Sequence, residues 1–210
     1  MRLEILNPHT VKIIIAARKE DSIRAISKRI SLSYGWTYKW VLELEKMGVF
    51  RKSGKKVFLD EKNRFYREVL GFVKTAFRRD IGFHYSVLSL FGVKYCFTGI
   101  DAVFIWTDGG YNISRYRDYY PIFIKVRESD KRVCEFYIKK LGLVGKIFYR
   151  LEFLKDFAVS LHKGVPVDSL EETIEFMERY VYNFEPALEM IQEMYGKGLG
   201  IKYKEVAANV

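Results

Sequence analysis

Residues 22–60 read SIRAISKRISLSYGWTYKWVLELEKMGVFRKSGKKVFLD, and the rest of the chain is read outward from them. Ile23, Ile26 and Ile30 recur three and four apart, the spacing of one buried helical face. Asp21 or Ser22 caps this helix, and Arg24, Lys28 and Arg29 lie on its other faces. Leu32 falls in a tight turn. Ser33 is placed to cap a second helix, along which Thr37, Val41 and Leu44 make a narrow inward stripe at i, i+4 and i+7. Gly48 stops that helix as a glycine at C′ does. Val49-Phe50 and Val57-Phe58-Leu59 flank RKSGKK, a strand–turn–strand with Gly54 supplying the turn.

The inward stripe fixes what faces out. Ser33, Tyr34, Trp36, Tyr38 and Lys39 form the outward front of the second helix, a set of hydroxyl, aromatic and ammonium groups suited to base edges and phosphates. Packing of Trp36 or Trp40 on a neighbouring helix is the alternative use of an indole there. Arg51, Lys52, Lys55 and Lys56 crowd the hairpin tip, where phosphate contact would use them. Upstream, Asn7-Pro8 opens a first helix, with Asn as N-cap and Pro at the first position. Val11, Ile14, Ile15 and Arg18 fall three and four apart, so that one stripe is apolar, and Lys12 and Lys19 can face out.

Charge follows the same division. The net charge is +10, and residues 1–60 carry 13 Lys+Arg against 6 Asp+Glu while the remaining 150 carry 23 against 20. Excess positive charge on one small segment is the footprint of a polyanion partner. With 49% apolar and 30% charged residues the chain is expected to be globular. No apolar run approaches the ~18 residues of a membrane span, the N-terminus lacks a secretory leader, and a cytoplasmic protein is expected. Cys96 and Cys134 form no C-x-x-C pair, and His9, His84 and His162 are scattered, so no disulfide framework, metal or cofactor is expected. Gln192 is the only glutamine among many Lys, Arg and Glu, a bias that resembles thermophile composition.

The run IRAISKRISLSYGWTYKWVLELEKMGVFRKSGKKVFL resembles the winged helix-turn-helix transcriptional regulators of bacteria and archaea, over about the first 60 residues. The resemblance implies a DNA-binding domain at 1–60 that recognises double-stranded DNA as a homodimer. Residues 61–79 follow as a connector helix, with Phe65, Val69, Phe72, Val73 and Phe77 on its apolar face.

The remainder, 80–210, reads as a small mixed α/β domain with C-terminal helices, which makes the chain α+β overall. A short helix is expected at 83–91. A strand enters Thr98-Gly99 and continues as an apolar element, with a turn at GGYN, a strand at 119–126, a helix at 129–142 and a strand at 146–154. From Leu154 on, helices are expected. Asp168 and Glu171 form a capping box for a helix to about Phe184, Pro186 opens a last helix, and a loose tail ends the chain. FTGIDA (97–102), SRYRDYYPIFIKV (114–126) and SDKRVCEFYIKKLG (129–142) resemble the nucleotidyltransferase-like fold of abortive-infection antitoxins. Active members hold Mg²⁺ on an Asp-x-Asp or Asp-x-Glu strand pair. Here Asp118 would be the first carboxylate, but Tyr120 occupies the second position and Thr98 precedes Gly99. The resemblance therefore implies a non-catalytic copy that senses a ligand or binds a partner. An antitoxin binding a toxin and a Mg²⁺-dependent nucleotidyltransferase are the alternatives. Asp101, Asp108 and Asp118 read as surface or turn carboxylates, and Arg115, Arg117 and Lys125 as a solvated basic face.

Overall fold

The computed structural model describes residues 5–79, 84–85, 88–113, 121–143 and 149–199, with 77–79 as backbone alone. The fold is mixed α and β with two sheets. By contacts the chain forms two compact units, residues 1–94 with 129–144, and residues 95–128 with 145–210.

The first unit is built around α1 (Pro8–Ala16). The Asn7 carboxamide accepts from the backbone N–H of His9 and Thr10, and Pro8 occupies the first turn. Ile13, Ile14 and Ile15 are all fully buried, so α1 is enclosed on more sides than the single stripe read from sequence. Each buried isoleucine contributes roughly 2 kcal/mol. Strand β1 (Glu20–Ser22) leads into α2 (Ile23–Arg29), capped by Ser22, and then α3 (Tyr34–Lys46). Ile23, Ile26 and Ile30 are buried, as are Thr37, Val41 and Leu44. The hairpin strands are β2 (Phe50–Ser53) and β3 (Lys56–Leu59). They form a three-stranded sheet of order β1-β3-β2, because β1 pairs antiparallel with β3. Three polar residues, Glu-Asp-Ser, carry no alternation that would betray this third strand.

Two further helices complete the unit. In α4 (Arg64–Arg79), Tyr66, Val69 and Val73 are buried and Phe72 is 71% exposed. Tyr66 thus takes the inward place that the sequence assigned to Phe72. The side chain of Phe77 lies outside the described residues. Helix α6 (Lys131–Leu141) contacts α1 and α4, although the sequence grouped it with the C-terminal region. Its Tyr137 is fully buried against Phe91, with ring centroids 4.9 Å apart, and donates its hydroxyl to the Arg29 carbonyl.

Lys140 of α6 donates to the carbonyls of Ile14 and Ala17, both at 2.7 Å. Burial pushes its ammonium down to about 7, with Arg29 and Lys74 adding to the shift and Glu61 and Asp21 opposing it. Between pH 7 and the ordinary 10.5 the unfolded chain keeps a proton that the folded chain has lost. The first unit is therefore expected to gain stability as pH rises through that window, by up to about 1.4 kcal/mol per pH unit. Denaturant titrations from pH 7 to 10 on the wild type and Lys140→Met check this. Equal slopes would mean that the two carbonyls keep the amine charged.

The second unit carries a five-stranded sheet of order β6-β5-β4-β8-β7. Its strands are β4 (Tyr95–Phe97), β5 (Ile122–Arg127), β6 (Tyr149–Leu154), β7 (Ser160–His162) and β8 (Val165–Val167). β4 runs antiparallel to β5 and parallel to β8, while β5 and β6 are parallel. Helix α5 (Ile100–Trp106) follows Thr98-Gly99; in the first unit, within the 83–91 span where a short helix is expected, His84 and Tyr85 are helical and Leu88–Phe91 form a 3-10 turn.

The region after Leu154 departs from the sequence reading. It is not helical at once, since β7 and β8 form a hairpin there whose strands are three residues each, too short for a period-2 pattern. The capping box belongs to Ser169 and Glu172, one residue beyond Asp168 and Glu171, and it opens α7 (Leu170–Arg179). The helix is interrupted at Tyr180, and α8 (Val181–Tyr195) contains Pro186 rather than starting at it. Val103, Leu170, Ile174, Met177, Phe184 and Leu188 form the core beneath these helices.

Candidate nucleic-acid interface

Helix α3 divides its exposed residues between two flanks, because Thr37, Val41 and Leu44 hold one line inward. Ser33 serves as its N-cap, its hydroxyl accepting from the Trp36 N–H at 3.3 Å. On one flank stand Tyr34 and Tyr38, with ring centroids 5.9 Å apart. Lys52 from the hairpin reaches back to this flank. Its ammonium donates to the Tyr38 hydroxyl at 3.3 Å and lies 5.0 Å over the ring, and its backbone N–H donates to Glu45 at 3.0 Å. Lys52 therefore fastens the hairpin to α3.

Between this flank, α2 and the hairpin turn lies a cleft of about 660 Å³. Arg24, Lys28, Lys52 and Lys55 line it with the two tyrosines, and none of the described residues that line it is a carboxylate. Four cations around one concave space raise the local potential for an anion well above that of scattered surface charge. Arg24 and Lys28 were assigned from sequence only to the other faces of α2. Their i, i+4 spacing opposite the isoleucine stripe was the available signal.

On the other flank Trp36 is half exposed, stacks on His9 at 5.4 Å and lies near-parallel to Trp40 at 6.4 Å. The Lys39 ammonium sits 5.1 Å from both indole centroids. Trp36 thus packs on His9 of α1, the alternative use foreseen for an indole there, while half of it faces solvent. The hairpin residues also differ among themselves. Arg51 stacks on Phe58 across the strands at 5.5 Å, and Lys56 pairs with Glu20 at 2.5 Å. Lys55 stands at the turn with no ion pair among the described residues. Thus Tyr34, Tyr38, Lys52 and Lys55 share the cleft, Trp36 and Lys39 share the opposite flank, and Arg51 and Lys56 are engaged along the hairpin.

The second unit gathers one other polar cluster. Asp168, on leaving β8, accepts from Lys125 at 2.9 Å, Cys96 at 3.2 Å and Thr98. Lys125 is therefore nearly enclosed, not part of a solvated face. Burial opposes its charge, but Asp168 and Glu172 raise the ammonium above its ordinary value. Burial and then Asp168 push the Cys96 thiol up. The charged Lys125 and Asp168 therefore form an internal ion pair, to which the neutral Cys96 thiol donates a hydrogen bond. Asp101 is likewise buried, accepting the Phe123 N–H at 2.7 Å, where a surface carboxylate was expected. Asp108 does lie at a turn, paired with His162 and Lys163. Asp118, Tyr120, Arg115 and Arg117 lie outside the described residues. Among the described residues no three His, Cys, Asp or Glu side chains are grouped to hold a metal ion, and no helix is long and apolar enough to cross a membrane. No protein-family model, curated protein or solved structure matches the chain.

Proposed function

We propose that the first unit is a winged helix-turn-helix that binds double-stranded DNA through α3 and the hairpin, and that the protein is a homodimeric transcriptional regulator. The observation that carries this reading is the cleft of Arg24, Lys28, Lys52 and Lys55, with no carboxylate among its described lining residues, beside the exposed front of α3. Cations of this density favour a polyanion. The neighbouring helix of 13 residues is roughly 20 Å long and suits a major groove about 12 Å wide.

Selection of bound duplexes from a randomised pool, at two salt concentrations, tests it. The expected result is enrichment of a two-fold site with half-sites about 10 base pairs apart. Binding without enrichment, collapsing as salt rises, would reduce the cleft to a general phosphate-binding surface. A partner-binding role for residues 80–210 is a second reading. Tyr182 at 98% exposure and Tyr180 at 54%, two residues apart at the junction of α7 and α8, favour it. Co-purification of a partner lost in Tyr182→Ser would support that role.

A further inference from the structure

The two ends of the five-stranded sheet differ. At one end β7 is three residues long and lies beside Pro166 of β8, a short edge that offers little to another strand. At the other end β6 runs for six residues in unbroken register with β5, without proline or bulge. No strand pairs with its outer side among the described residues, and the backbone N–H and C=O groups of such an edge are a template for one more strand. The register with β5 sorts the side chains of β6 between the two faces of the sheet. Tyr149, Leu151 and Phe153 stand beside Ile122, Ile124 and Val126, which are buried, yet Leu151 remains partly exposed. Arg150 and Glu152 stand on the opposite face, beside Phe123 and Lys125, and both are exposed. Arg150 stacks on the Phe123 ring at 5.6 Å. Lys125 is taken by Asp168 and Glu172, so Arg150 and Glu152 have no ion pair among the described residues.

We infer that β6 is a self-pairing edge: it binds β6 of a second copy, antiparallel, about a two-fold axis at Leu151. This is the interface of the homodimer proposed above and rests on that reading, whatever the dimer binds. The apolar faces of the two sheets stay continuous only if odd-numbered residues face odd-numbered ones, since a slip of one residue exchanges the faces. Charge then singles out one register. Centring on Arg150 would set arginine against arginine and centring on Glu152 glutamate against glutamate, and like charges directly opposite destabilise a strand pair. Centring on Leu151 sets Arg150 opposite Glu152 of the partner subunit, twice by symmetry. Leu151 then meets Leu151 of the partner subunit, and Tyr149 meets Phe153 of the partner subunit as an aromatic cross-strand pair.

The test uses the full chain and reads the dimer dissociation constant by sedimentation equilibrium. Arg150→Glu and Glu152→Arg are each expected to weaken the dimer by roughly ten- to a hundredfold, because each turns two attractive pairs into two repulsive ones. An equimolar mixture of the two variants is expected to recover an affinity near that of the wild type, since every arginine then faces a glutamate again. Damage to either protomer alone would not be repaired by mixing. Leu151→Cys is expected to form a disulfide-linked dimer under mild oxidation, and the wild type, whose Cys96 and Cys134 are buried, is not. A wild-type dimer that neither charge variant weakens, or a mixture as weak as its parts, would overturn the pairing of β6 and leave the homodimer on another surface. A monomeric wild type would remove the homodimer reading and this interface together. Should a charge variant fail to fold, the cross-link decides: its absence overturns the inference.

Discussion

Replacing Arg24, Lys28 and Lys55 together with alanine is expected to lower affinity for duplex DNA by roughly 10²–10³-fold at moderate salt. All three are exposed residues lining one cleft, so folding stability should move by less than about 0.5 kcal/mol. Each cation seated on a phosphate releases condensed counterions and adds about 0.9 to the slope of log K against log salt. The triple variant should flatten that slope by about 2.7, measured by fluorescence anisotropy over a salt series. Lys52 lines the same cleft but should behave differently. Its ammonium is held on Tyr38, so Lys52→Met should weaken binding by loosening the hairpin while shifting the slope by less than about 0.3. Lys56, paired with Glu20, should matter least. An unchanged slope in the triple variant would move the phosphate contacts to another surface.

Gly92→Ala is expected to cost about 3 kcal/mol of stability, by adding left-handed strain to overpacking. Gly92 has φ +64°, and a Cβ there would lie 2.6–2.7 Å from the Ile30 backbone carbon, α-carbon and oxygen. Backbone cannot swing aside as a side-chain tip can. The opposing segment is also fixed: Ser31, itself at φ 52°, donates its hydroxyl to the Gly92 carbonyl at 2.8 Å. Three kilocalories is a large part of the 5–15 kcal/mol typical of a domain. The urea midpoint should fall with an unchanged m-value. Ile30 and Ser31 form the turn between α2 and α3, so a surviving folded fraction should also present α3 at an altered angle. A loss under about 1 kcal/mol would show that the turn yields more easily than a packed backbone should.

Much of the first unit was legible because its signals are local. Ser22 and Ser33 cap, isoleucines repeat at helical spacing, Gly48 stops a helix and Gly54 turns a hairpin, each a choice made within a few residues. What was missed depends on partners distant in sequence. Strand β1 exists only because β3 lies beside it, and Phe72 lost its inward place to Tyr66 because α1 and α6 decide which side of α4 is covered. The cleft could be half read. Its hairpin lysines stood out by crowding, but Arg24 and Lys28 enter it only once α2, α3 and the hairpin are folded together. Lys125 looked solvated for want of Asp168, which reaches it from the end of β8, distant in sequence. Around Leu154 the strands were shorter than the repeat needed to recognise them.

The place of α6 has a consequence for how the protein is made. The residues that complete the first unit, Tyr137 and Lys140, lie between β5 and β6 of the other unit in the chain. While a ribosome has delivered only residues 1–94, the ring of Phe91 has no Tyr137 to pack on, and the last carbonyls of α1 lack their lysine. At about 5–20 residues per second, several seconds pass before residue 141 emerges, and an apolar face waits uncovered meanwhile. A fragment cut after residue 60 or 94, the obvious minimal piece to express, would remain permanently in that state and should aggregate. The cell, by the same logic, cannot obtain a finished first unit from this chain without having first synthesised β4 and β5.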